Sequence, residues 1–317
     1  MIADYTVALQ PGPWRHEMVP ANGSRFHVAL ADPPCPAGVT RTRNDSPLVL
    51  LLHGFAQTWW AWRHQIPALC DAGYRVAAMD LRGTGGSDKP PLGYDAPART
   101  RDVAGVVRAL GADRAVVIGH GSGGALAWGT AALQPAVVAG VGCVASPHPA
   151  RLNVPLRKAL TPVALRRLAF AQVPTLPERG LVSGELVDEY LAEASVVPPA
   201  HDVVTAYQAA LRIPFTAHST MEAVRWTVRS AGRPSGRRYL AALRRPVTVP
   251  ALQVHGERDP YLRRSTVDTD AAAIARHLRF ESLDGVGHLV PEEAPERVSS
   301  LLVDWLDETQ ERRSTTS

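Results

Sequence analysis

The 317 residues are 45% hydrophobic and 20% charged, a balance that excludes a mainly disordered chain and supplies enough apolar side chains for a full α/β core with an insertion. The net charge of +4 comes almost wholly from arginine, Lys89 and Lys158 being the lysines. The arginines are scattered, the pairs Arg166-Arg167, Arg237-Arg238 and Arg244-Arg245 included, so they form no basic tract that would point to nucleic acid.

Residues 1–10 have no basic n-region and no long apolar run, and Pro11 and Pro13 follow, so no export signal is expected and a cytoplasmic location is. Strands are expected over residues 25–30, 48–52, 75–79, 115–118, 138–144, 251–255 and 278–283, where short β-branched or apolar runs are bounded by turn residues. Helices fall between them, clearest over 98–110, ended by Gly111, and 295–307, opened by Pro295. The apolar stretch 115–145 is long enough to raise a membrane question. His120, Ser122, several glycines and Pro135 interrupt it, which reads as strand, glycine turn, helix and strand.

Strand rhythm stops after Pro147 and resumes at Val247, and helical patterns such as 185–194 and 202–211 occupy the interval. The expected organisation is therefore one α/β core, 1–146 and 246–317, interrupted by a helical cap, 147–245. The polar tail 308–317 is expected to fray. Cys35, Cys70 and Cys143 have no CxxC spacing, so neither a disulfide framework nor a zinc site is expected.

Several motifs stand at the ends of these strands. His53-Gly54-Phe55 follows an apolar strand, and the run from Trp59 to Pro67 follows it. Met79-Asp80-Leu81-Arg82-Gly83-Thr84-Gly85-Gly86-Ser87-Asp88-Lys89-Pro90 closes the next strand. Pro147-His148-Pro149, the loop from His255 to Pro260, and Gly285-Val286-Gly287-His288 complete the set. Together these resemble the epoxide-hydrolase and haloalkane-dehalogenase-like members of the α/β-hydrolase fold. The resemblance implies a mostly parallel eight-stranded sheet, helices on both faces, a lid, and a small, mostly apolar substrate. No metal or organic cofactor is implied, because no clustered ligand set or phosphate-cradling loop is present.

Such a site needs a nucleophile on a sharp strand-to-helix turn, a histidine, a carboxylate that orients it, and two N–H groups facing the developing oxyanion. Asp259 and His288 match the acid and base in the chain order this fold uses; alone, each also reads as a turn cap or a surface histidine. The oxyanion donors carried over from the family are the backbone N–H groups of Phe55 and Ser122. At the elbow, Gly119-His120-Gly121-Ser122-Gly123-Gly124 places Gly121 where the family has its nucleophile. A frame moved by one residue makes Ser122 the nucleophile but puts His120 where only a small residue fits.

Two further departures bear on an epoxide-hydrolase reading. Ala56 stands where the family has proline, and Thr227 stands in a segment that carries the family's ring-opening tyrosine. Tyr190, Tyr207 and Tyr239 remain as cap tyrosines, each packed or facing the pocket. The expected pocket lies between core and cap, with His53, Gly54, Phe55, Trp59, His120, the elbow and His288 around it. Trp62 and Trp128 are expected in the core. Three functions stay open: a hydrolase using His-activated water, a non-catalytic ligand-binding protein, and a serine hydrolase using Ser122. The chain is expected as a monomer or homodimer, with neither a nucleic-acid partner nor a membrane span.

Overall fold

The protein is described by a computed structural model over residues 5–34, 46–153, 156–230, 232–268 and 274–314; Cys35 lies outside this range. Eight strands form one sheet in the order β1-β2-β4-β3-β5-β6-β7-β8. They are β1 Arg15–Ala21, β2 Ser24–Ala31, β3 Leu48–Leu52, β4 Arg75–Met79, β5 Ala115–His120, β6 Val138–Val144, β7 Ala251–Gly256 and β8 Leu278–Leu283. The β1–β2 and β2–β4 pairs are antiparallel and the others parallel.

Every residue of β3, β4, β5, β6 and β7 is buried, as expected where helices cover both faces of a parallel sheet. Alternation still sorts the side chains. Val49 and Leu51 join one core with Trp59 and Trp62, while Leu48, Leu50 and Leu52 join the opposite core with Trp128. All three tryptophans are fully buried, which bears out Trp62 and Trp128 as core.

The sequence reading missed β1. Its residues, RHEMVPA, open on three polar side chains and hold a proline, and only Val19 is buried. The signal was in the turn, since Asn22 and Gly23 both have positive φ and Asn-Gly is the preferred dipeptide of a tight hairpin.

On the core side, α1 spans Gln65–Asp71, α2 Ala96–Ala109 and α3 Ser122–Leu133. The Asp95 carboxylate accepts from Ala98 N–H to cap α2, with a proline in its first turn and Gly111 at φ 77° just beyond its end. Between β6 and β7 the described residues are helical apart from turns. The longer helices there are α4 Pro162–Ala171, α5 Leu176–Ser183, α6 Glu185–Ala194, α7 His201–Arg212, α8 Thr216–Arg229 and α9 Pro234–Leu243. The C-terminal helix, α10, runs Pro295–Ser314, so residues 308–314 of the tail expected to fray continue the helix instead, while 315–317 lie outside the described residues. Among the described residues no helix is long and apolar enough to cross a membrane.

Candidate active site

Strand β5 ends in a turn whose apex is Gly121, at φ 52° and ψ −115°. That backbone suits glycine and strains any residue with a Cβ. The flanking glycines answer a different need, close approach. A Cβ on Gly119 would lie 2.2 Å from the Gly123 carbonyl carbon, and one on Gly123 would lie 2.4 Å from Leu52 O. A Cβ on Gly121 meets no such obstacle: its nearest neighbour would be His288 Nε2, at 3.4 Å. The turn is thus built to aim a side chain at His288, and residue 121 has none.

Asp259 follows β7. Its Oδ1 accepts from the N–H groups of Tyr261 (2.8 Å) and Leu262 (3.1 Å), and its Oδ2 accepts from His288 Nδ1 at 2.7 Å. The carboxylate therefore both caps its turn and orients the histidine. Burial pushes the Asp259 pKa up, but the neighbouring His288, its hydrogen bond and the two N–H groups outweigh this and hold it below the ordinary value. His288 N–H donates to Ala194 O at the end of α6 (2.7 Å), fastening the histidine loop to the helices between β6 and β7. The Tyr261 ring packs edge-on against the imidazole, and Glu293 accepts from the Gly287 and Leu289 N–H groups on either side.

Behind this pair lies His120, fully buried. Its Nε2 donates to His288 O at 2.8 Å and its Nδ1 faces Gln57 Oε1. The Gln57 amide nitrogen, without a partner, is a half-turn of the amide away from donating to Nδ1. Burial, with His288 adding repulsion, lowers the His120 pKa to about 3, so it is a neutral strut. The expectation that His120 lines the pocket is corrected: its ring is spent on supporting His288 from behind.

Trp59 needs the same correction. It is buried beneath the turn Tyr5–Ala8, donates from Nε1 to Ala8 O (2.8 Å) and meets the Trp14 ring edge-on. Its backbone N–H donates to Asp80, which also takes His27 Nδ1 and Gly86 N–H. A Cβ on Gly85 would fall 2.1 Å from Asp80 Oδ2. The 79–90 motif therefore works as a buried lock on the loop after β3.

A cavity of about 280 Å³ opens in front of His288, lined by His53, Gly54, Phe55, Gly121 and Ser122 among others. It is close to the lower end of small-molecule sites. Ala56 and Ala145, both lining it, have φ of 55° and 48°, strain of a kind that gathers at functional sites. A proline ring forbids φ 55°, so proline could not stand at position 56 in this loop conformation. Ser122 is exposed into the cavity and has no hydrogen bond to His288 among the described residues. As the first residue of α3 its N–H is one that no helical carbonyl can take.

Of the cap candidates, Tyr239 and Thr227 line the cavity, and Thr227 Oγ1 donates to Ala223 O. Tyr190 and Tyr207 do not. Tyr190 packs against Phe55 and Tyr261, and the Tyr207 hydroxyl donates to Glu292, the partner of Arg63. Sequence reasoning missed Tyr94, Arg99 and Thr220, which also line the cavity. Arg99 carried a signal, because it shares the stripe of α2 with the buried Val103 and Val106 at helical spacing.

The model of the alpha/beta hydrolase family matches residues 49–301. The chain belongs to the α/β-hydrolase family. It is 30% identical over 303 residues to the AB hydrolase superfamily protein YfhM of Bacillus subtilis, covering 92% of this chain and 97% of that one. It is 28% identical over 327 residues to epoxide hydrolase A of Mycobacterium tuberculosis, covering 91% and 96%. The crystal structure of epoxide hydrolase A from Mycobacterium thermoresistibile superposes with a TM-score of 0.75 at 28% identity, covering 93% and 98%. The chain is thus epoxide-hydrolase-like over nearly its whole length, beyond the core that the motifs covered.

Proposed function

We propose that this protein is a hydrolase of small, mostly apolar epoxides or esters, with residues 147–245 acting as a lid over a core of 1–146 and 246–317. In this reading His288, oriented by Asp259, activates water directly. The observation that carries it is the intact Asp259–His288 pair aimed at an apex without a side chain. Because Nδ1 donates to Asp259, Nε2 is left as an acceptor, with the space of a missing side chain in front of it. A water oxygen there would attack the electrophilic carbon while Nε2 takes its proton. At an epoxide the ring C–O bond breaks as the new one forms, and the opened oxygen takes the proton. At an ester the carbonyl π pair moves onto its oxygen, and the alkoxide leaves with the proton when that oxyanion collapses. The N–H groups of Phe55 and Ser122 would stabilise the charge on the epoxide oxygen or the carbonyl oxygen. Tyr239, whose hydroxyl has no hydrogen bond among the described residues, supports the reading as a cavity-lining donor.

The test is turnover of a panel of small epoxides and esters in ¹⁸O water, with intact-mass spectrometry for adducts. Label appears in the product in a single turnover and no adduct accumulates, whereas Gly121→Asp forms a trappable ester. An adduct on Ser122 would make the protein a serine hydrolase. Ligand binding without turnover on the whole panel would favour the non-catalytic reading that the missing side chain also supports.

A further inference from the structure

Among the described residues, the cavity wall holds a guanidinium with no hydrogen-bonded partner. Arg99, on α2, lines the cavity, and its guanidinium makes no hydrogen bond or ion pair among the described residues. Its Nε is sealed from solvent and unpaired. The nearby carboxylates are already committed. Both Asp102 oxygens take Arg82, at 2.6 and 2.7 Å, and one also takes Asn22 Nδ2. Asp95 caps the helix. Burial holds the Arg99 pKa below its usual value in spite of these acids, and Arg82 adds repulsion. Arg82 and Asp102 pair with each other, and Asp95 attracts Arg99 without an ion pair, so the Arg99 guanidinium stands without a hydrogen-bonded counter-ion on a mostly apolar wall.

Two further polar groups on that wall lack partners. Thr220 Oγ1, on α8, is buried with no hydrogen bond, and the Tyr239 hydroxyl, on α9, has none among the described residues; both residues line the cavity with Arg99. A buried charge left unpaired is costly. Three donors without a protein partner in one cavity suit a ligand that brings its own acceptor oxygens.

We propose that Arg99, with Tyr239 and Thr220, receives a carboxylate, so that the ligand is a small apolar molecule bearing one acid group. A single guanidinium suits a monoanion through two parallel N–H···O bonds. Calling this ligand the substrate rests on the hydrolase reading above; its binding does not.

The test is calorimetric titration with phenylacetate, 4-phenylbutyrate and octanoate against their primary amides, on the wild type and on His288→Ala. At least one acid should bind about tenfold or more tightly than its amide in both proteins, since charge-assisted hydrogen bonds are about twice as strong as neutral ones. Arg99→Met should abolish the preference, and Arg99→Lys should keep part of it. Equal or better binding of every amide, or no binding of any acid, would overturn the proposal on wild-type protein alone, whether or not the variants fold. A folded Arg99→Met that keeps the preference would also overturn it. Acid-selective binding without turnover of acid-bearing epoxides or esters would leave this site standing and remove the hydrolase reading.

Discussion

The two corners of the site have been treated differently by the sequence. At the Asp259–His288 corner every polar atom but one is spoken for: Asp259 uses both oxygens, and His288 is held through Nδ1, N–H and O, leaving only Nε2 facing the cavity. At the elbow the scaffold is equally complete, with Gly119 and Gly123 permitting a close approach that no Cβ would survive. At the apex itself Gly121 presents no side chain, although a Cβ there would have room, 3.4 Å from His288 Nε2. Glycine at the apex also releases the strain that φ 52° would impose on a larger residue. An elbow relaxed by glycine beside an over-determined histidine is what a site relying on its base would show, and the base corner is where the largest effects should lie.

His288→Ala is the sharpest way to break the comparison. If the histidine activates water, turnover on any substrate of the panel should fall by about 10²–10⁴-fold, the contribution of a positioned general base. Ligand affinity should change far less, because the cavity wall is otherwise intact. Steady-state kinetics beside calorimetric binding separates the two; a loss below tenfold would mean the intact corner is not where chemistry occurs.

Much of this site was legible because its signals are local. Asp259 and His288 each end a strand-to-loop motif, and the runs LVLLL and AVVIGH announce buried parallel strands without help from distant residues. What was not legible depends on pairing across the chain. Trp59 sits near the oxyanion loop in sequence, yet residues 5–8 cover it. Tyr190, Tyr207 and Tyr239 look alike in sequence, and only helix rotation decides that Tyr239 faces the cavity. Strand β1 opens on polar residues and carries Pro20, which mutes its strand signal, and its hairpin dipeptide was the clearer clue. Arg99 read as one more surface arginine, although its helical register with Val103 and Val106 pointed inward.

A smaller effect should appear in stability against pH, at the exit from β6. His148 is buried against the Trp128 ring, and burial, with Arg151 adding repulsion, lowers its pKa to about 4. Unfolded, it titrates near the ordinary value of about 6.5. Between those values the unfolded chain binds the extra proton, so stability falls as pH drops through this window and is recovered above it. From pH 7 to pH 5 the loss from this group is about 2 kcal/mol. Urea unfolding at the two pH values should show that His148→Gln loses less stability than wild type by roughly that amount. Parallel losses in both proteins would refute the assignment, and turnover should play no part in the difference.

The smallest effect is expected at the residue beside the missing side chain. Ser122 is exposed and its hydroxyl makes no hydrogen bond to His288 among the described residues, so Ser122→Ala removes an oxygen that orients nothing. The backbone N–H that would face the oxyanion stays in place, since alanine supplies the same group at the start of α3. Stability should stay within about 0.5 kcal/mol, as for surface substitutions away from special features, and kcat/KM within about threefold. The small number is informative because the alternative predicts a large one. A serine nucleophile would make Ser122→Ala as damaging as His288→Ala, and a fluorophosphonate would label the wild type at residue 122. Should either occur, the turn must rearrange by a residue in solution, bringing Ser122 to the apex that Gly121 occupies and displacing His120 from its place behind His288.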